Sequence, residues 1–109
     1  MNLWEERAAR NEALFREVNE QVHDLAGRHG DRARDQITVV CECSDDRCVE
    51  QLELPLTAYE EIREDGRQFV VAPGHEGDFE RVVARERGYT IVRKEGTAGR
   101  IAEQADPRP

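Results

Sequence analysis

Along the first quarter of the chain, apolar residues return at alternating intervals of four and three. Trp4, Ala8, Phe15, Val18, Val22 and Leu25 keep that rhythm, Asn11 fills one place in it, and Leu14 widens the stripe. Such spacing puts them on one side of a helix, close to a heptad period. It predicts a helix over 2–28, with charges on its other faces and Gly27 and Gly30 as stops. The preferred reading packs this stripe on the protein's own core. The rival is a dimerisation or partner-docking helix in which Asn11 sets the register.

From Gln36 the period falls to two. In QITVVCEC, Ile37, Val39, Cys41 and Cys43 point one way, and Thr38, Val40 and Glu42 the other. After the polar turn Ser44-Asp45-Asp46-Arg47, CVEQLELPL alternates again, with Leu52, Leu54 and Leu56 on one face. The two runs predict a β-hairpin. LTAYEEIREDG predicts a short helix, capped by Thr57 with Glu60 three residues on, facing Tyr59 and Ile62 inward and ending at Asp65-Gly66. RQFVVA is a third strand, stopped by Pro73-Gly74.

HEGDFERVVARERG predicts a further helix, with Asp78 as its cap, Phe79, Val82 and Val83 as its apolar face, and Gly88 closing it. YTIVRK is a fourth strand, and the segment beyond it holds at most one helical turn, about Ile101. The expected fold is therefore α+β: a long N-terminal helix, then a β-hairpin–α–β–α–β domain. Its expected parts are the helix at 2–30, the compact domain at 36–95 and a flexible tail at 96–109.

Composition sharpens this picture. The chain has 109 residues, of which 37% are charged and 6% aromatic. That allows one domain with a small core. Below about 70–80 compact residues, such a core usually needs a staple, either a disulfide or a metal. The net charge of −8 is unevenly spread: residues 36–66 carry 9 acids and 2 bases, residues 67–109 carry 7 and 8. The acidic stretch repels a phosphate backbone and would steer a basic protein partner. Only Arg81, Arg85, Arg87, Arg93 and Lys94 offer a basic face, so nucleic acid is disfavoured. The N-terminus does not read as a secretory leader, and no apolar run has the length of a membrane span. A cytoplasmic location is expected. There, an odd number of cysteines argues against a disulfide framework.

All three cysteines, Cys41, Cys43 and Cys48, crowd into CECSDDRC. His75, delivered by the Pro73-Gly74 turn, is the fourth soft ligand; His23 and His29 are poorer candidates by position. Three thiolates and one imidazole suit the tetrahedral preference of Zn²⁺. The spacing C-x-C-x4-C differs from the C-x2-C knuckle, and the strand end must bend for Cys41 and Cys43 to converge. Inert buried thiols would suit Cys41 but not the polar surroundings of the other two. A reactive thiol needs nearby cations, whereas Glu42, Asp45, Asp46 and Glu50 supply the opposite field. Three cysteines and a histidine leave no open position for water, so a structural zinc is expected and not a catalytic one. Glu76 is a candidate partner for the free ring nitrogen of His75, or else an ordinary helix-start acid. Glu50 and Glu76 are the nominees for a general base should the site hydrolyse a substrate. There is no phosphate-binding glycine loop and no Ser-His-Asp grouping.

The runs RNEALFREVNE, CECSDDRCVEQLEL, YEEIREDGRQFVVAPGHE and ERVV…GYTIV, within residues 7–95, resemble a group of short uncharacterised actinobacterial proteins. The CEC…C cluster and the PGHE turn are the most specific pieces. The resemblance implies a small stand-alone protein and supplies no catalytic residue. The expectation is a zinc-stabilised interaction or regulatory protein without catalytic activity. It would meet an unidentified, basic protein partner or pair with itself through the N-terminal helix. The alternatives are a redox sensor using the zinc-bound cysteines, a zinc hydrolase and a nucleic-acid-binding module.

Overall fold

The computed structural model describes residues 3–27, 36–43, 45, 47–77 and 80–106, the side chains of 3–11, 26 and 27 excepted. In chain order these residues form α1 (Leu3–Gly27), β1 (Gln36–Val40), β2 (Gln51–Pro55), α2 (Leu56–Arg63), β3 (Gln68–Val71), β4 (Glu80–Glu86), β5 (Tyr89–Lys94) and α3 (Gly96–Gln104). The fold is α+β, as the hydrophobic pattern predicts. β1 and β2 pair as an antiparallel hairpin, with Ile37 opposite Leu54 and Val39 opposite Leu52. β3, β5 and β4 form a second antiparallel sheet in that order. The core lies between the hairpin, α2 and the second sheet, where Leu54, Leu56, Tyr59, Ile62, Phe69, Val70, Val71 and Val92 are buried.

Several expectations change. The stretch 80–86, read as a helix, is strand β4. Val82 and Val83 mimic helical spacing, but the inward set is Glu80, Val82 and Ala84, and Val83 is the extra residue of a bulge between Val82 and Ala84. Glu80 faces inward because Lys94 Nζ lies 3.0 Å from its carboxylate. Gly88, expected to close a helix, adopts φ +88° in the two-residue turn Arg87-Gly88 between β4 and β5. The proposed helix cap Asp78 and Phe79 lie outside the described residues. α2 starts two residues earlier than a Thr57 cap implies, with Pro55 in the cap position, and has no side-chain cap bond, so Thr57 is a first-turn residue and not the cap. Residues 96–104, expected in a flexible tail, form α3, with Gly99 and Ala102 buried.

The largest departure concerns α1. Its 25 residues span roughly 37 Å at 1.5 Å per residue, most of the molecule's 43 Å length. The buried face is not the apolar stripe. Glu12, Arg16 and Asn19 are 1%, 0% and 0% exposed, whereas Leu14, Val18 and Leu25 are 56%, 41% and 56% exposed. Val22 packs partly on the core, and the side chains of Trp4, Ala8 and Asn11 lie outside the described part. The physical reason lies beneath the helix. Arg16 donates to the carbonyls of Gly66 (2.7 Å) and Ala102 (2.8 Å) and stacks 4.4 Å over the Phe69 ring. Arg63 of α2 donates to Glu20 at 2.8 Å and to Asp106. Backbone groups left over by turns and sheet edges need polar partners, and α1 supplies them.

Two predictions follow from this packing. A methyl on Gly99 would stand 2.7 Å from the Lys94 carbonyl oxygen and 2.9 Å from Arg67 Nη1. Backbone cannot yield as a flexible side chain can, so Gly99→Ala should lower the stability measured by denaturant unfolding by about 1–3 kcal/mol. The second concerns Glu12, which burial pushes up to about 8 against the pull of Lys94. Its folded pKa exceeds its unfolded value. Its contribution to stability is therefore fully present below about 4.5 and is lost as pH rises through about 8, at most about 1.4 kcal/mol for each pH unit crossed. Glu12→Gln should accordingly gain stability relative to the parent protein as the pH of chemical denaturation is raised from 5 to 8. A constant difference between the two proteins would contradict this.

Candidate metal centre

The site is assembled by three short backbone devices. The first is the end of the β1–β2 ladder. Regular pairing stops at Val40, but the Cys41 N–H still donates to the Glu50 carbonyl at 2.9 Å. Beyond it the chain is free to bend, as convergence of Cys41 and Cys43 requires. The second is the hairpin loop. Asp45 accepts from the Arg47 N–H through its carboxylate (2.9 Å) and from the Cys48 N–H through its carbonyl (3.1 Å). This local Asx turn folds Cys48 back toward the other two cysteines. The third is Ala72-Pro73-Gly74-His75, a turn closed by the His75 N–H on the Ala72 carbonyl at 3.0 Å. Proline presets its first corner, and Gly74 takes φ +86° at the second.

These devices bring the four predicted ligands together. The ligand atoms of Cys41, Cys43, Cys48 and His75 all lie within 4.8 Å of one another. His75 Nδ1 stands 3.7 Å from Cys41 Sγ and 3.6 Å from Cys48 Sγ. In a tetrahedral site with Zn–S about 2.3 Å and Zn–N about 2.0–2.1 Å, neighbouring S and N ligands stand about 3.6 Å apart. The cluster thus has the donors and the spacing to hold a metal ion. The three cysteines are buried and free of disulfides. Cys41 Sγ also accepts the Ala72 N–H at 3.1 Å, which fixes the sulfur and offsets thiolate charge.

Burial pushes the Cys41 and Cys43 thiols upward. Without a cation they stay protonated, so metal uptake must displace protons. The acidic surroundings read from sequence sort differently in space. Glu42 turns away from the sulfurs, Asp45 serves the loop, and Asp46 lies outside the described residues. Glu50, not Glu76, approaches the histidine: its Oε2 lies 3.7 Å from Nε2. Glu76 is instead paired with Arg85 at 2.6 Å. With Nδ1 facing the sulfurs and Nε2 facing a carboxylate, the ring is oriented for coordination through Nδ1.

His23 is 3.0 Å from Glu60 and belongs to a separate group with Glu20 and Asp24, and His29 lies outside the described residues. Glu20 is already bound to Arg63, so that group reads as surface ion pairing.

Glu42, which sequence reasoning read only as part of the acidic surroundings, and Asn19, which it passed over, support the site from behind. Glu42, fully buried, accepts from Asn19 Nδ2 (2.8 Å) and the Tyr59 hydroxyl (3.1 Å) at Oε2, and from the Val70 N–H (3.0 Å) at Oε1. Its own N–H donates to the Val70 carbonyl at 2.8 Å. Burial raises the Glu42 carboxyl, and the bonds from Asn19 and Val70 together with the charges of Arg63 and Arg16 pull it back. Its alternation opposite Cys41 and Cys43 was visible in the sequence, but that the opposite face is also buried was not.

No protein-family model, curated protein or solved structure matches this chain.

The two carboxylates near the histidine can be told apart. Glu50→Gln should weaken metal binding by up to about tenfold, the low end expected for an outer partner of a histidine ligand, because the carboxylate is well exposed. Glu76→Gln should leave affinity unchanged. Competition against a chromophoric chelator reads both; equal effects would remove Glu50 from the site.

Proposed function

We propose that this protein binds one Zn²⁺ through Cys41, Cys43, Cys48 and His75, and that the ion staples the β1–β2 hairpin to the turn after β3. The observation that carries the reading is the convergence of four soft donors with Nδ1 3.6–3.7 Å from two sulfurs. Sulfur-rich donor sets favour zinc over hard cations, and a cytosolic reducing setting favours metal over disulfide. Four protein ligands fill a tetrahedral shell and leave no position open for water, so the ion is read as structural and the site as non-catalytic.

The protein then acts by contact with other proteins. Leu14, Val18 and Leu25 form an exposed apolar line on α1, and the acidic middle of the chain suits a basic partner. Among the described residues no helix is long and apolar enough to cross a membrane. The expected setting is the cytoplasm.

A thiol switch on the same cluster is the second reading, favoured by the mutual closeness of the three sulfurs. It predicts zinc release with disulfide formation under mild peroxide.

Elemental analysis of protein purified without a chelating tag tests the first reading. One zinc per chain is expected, with Cys48→Ser and His75→Ala holding much less. Stably folded, metal-free parent protein would refute the metal reading.

A further inference from the structure

One side chain of α1 brackets a candidate ligand. Asn19 Nδ2 donates to the Val40 carbonyl at 2.8 Å, and its Oδ1 accepts the Val40 N–H at 2.8 Å. The same Nδ2 donates to Glu42 Oε2 at 2.8 Å. Val40 and Glu42 are the residues on either side of Cys41. Strand alternation sends Cys41 and Cys43 to one side of this segment, toward His75, and Glu42 to the other, toward α1. The stretch Val40–Cys43 is therefore held between the donor cluster and the helix.

We propose that Asn19 and Glu42 are positioning residues for the metal ligand Cys41, and that through them metal occupancy and docking of α1 are coupled. This rests on the metal reading above and adds a regulation to it. Regular β1–β2 pairing ends at Val40; beyond it the backbone is held by the Cys41 N–H on the Glu50 carbonyl (2.9 Å) and the Glu42 N–H on the Val70 carbonyl (2.8 Å), and its side chains are gripped from two sides. From the cluster side the grip is coordination by Cys41 and Cys43. From the helix side it is Asn19, together with Tyr59 and Val70 on the Glu42 carboxylate. Loss of the ion removes the grip on the cluster side, leaving Cys41 and Glu42 on their backbone bonds to Glu50 and Val70, and lets the acceptors that Asn19 needs shift.

The inward face of α1 makes it sensitive to such a shift. It is built around Glu12, Arg16 and Asn19, whose value depends on partner geometry and not on buried apolar area. A misplaced acceptor costs more than a lost contact, because the polar group stays buried without its bond. Linkage requires the reverse as well. A docked α1 must strengthen metal binding by the same factor by which metal strengthens docking, and such factors are commonly about 5–150-fold.

Two measurements on the full chain test this. Zn²⁺ affinity is measured by chelator competition for the parent protein, for Asn19→Ala, and for Gln21→Ala as a control on the exposed face of α1. Amide hydrogen exchange is followed in the parent protein with Zn²⁺ and after removal by EDTA. We expect Asn19→Ala to bind Zn²⁺ about tenfold more weakly and Gln21→Ala to match the parent. We expect amides of residues 12–25 to lose protection on chelation while those of β5 keep theirs.

Tight zinc binding by the parent, unchanged affinity in folded Asn19→Ala and unchanged α1 protection would overturn the coupling and leave the metal reading standing. Simultaneous loss of protection in every element would also overturn it, since the ion would then hold the whole fold. No zinc uptake by the parent would overturn both. Should Asn19→Ala fail to fold, exchange in the parent protein decides alone.

Discussion

A buried carboxylate holds this fold together. Glu42 follows β1 of the hairpin, and α1, α2 and the second sheet each send it a donor, through Asn19, Tyr59 and the Val70 N–H. Taking an ionised carboxylate out of water costs several kcal/mol, which only complete hydrogen bonding and nearby positive charge can offset. Three donors and the guanidiniums of Arg16 and Arg63 offset part of that cost, and burial still leaves the carboxyl raised. The bond pair between Glu42 and Val70 stands where another strand would add to the free edge of β3. It lets a two-stranded hairpin join a three-stranded sheet without a continuous ladder.

The donor cluster depends on the same segment. Because side chains alternate along an extended chain, anchoring Glu42 on one side aims Cys41 and Cys43 to the other. The loop turn made by Asp45 and the glycine turn before His75 then complete the set. Each device is local and cheap in residues, which suits a chain with so small an apolar core. A metal ion at this point would close the gap between hairpin and sheet on the face where the Ala72 N–H on Cys41 Sγ already bridges the two. The polar grip on α1 closes the other face.

Much of this was legible in the sequence because it follows strict alternation or turn chemistry. The hairpin, α2, β3 and β5 follow their hydrophobic periods, and the meeting of Cys41, Cys43, Cys48 and His75 follows from thiol crowding and the Pro73-Gly74 turn. What escaped was decided by tertiary pairing. β4 carries helix-forming residues and a helix-like Val82-Val83 pair, yet the tight turn at Gly88 and the ladder with β5 override them. α3 has few apolar residues and is placed by close approach at Gly99. On α1 the hydrophobic rule itself misleads. Leu14, Val18 and Leu25 mark a face that is exposed, and Glu12, Arg16 and Asn19 lie inside because the Lys94 ammonium awaits Glu12, and backbone groups and the Glu42 carboxylate await Arg16 and Asn19. Nothing in periodicity distinguishes a polar residue that will be satisfied in the core from one that will be solvated.

The most direct measurement is X-ray absorption at the zinc edge of protein loaded with one equivalent of Zn²⁺. The account predicts a four-coordinate ion with three sulfur neighbours at about 2.3 Å and one nitrogen at about 2.0–2.1 Å. A shell dominated by oxygen and nitrogen, or one with fewer than three sulfurs, would contradict it.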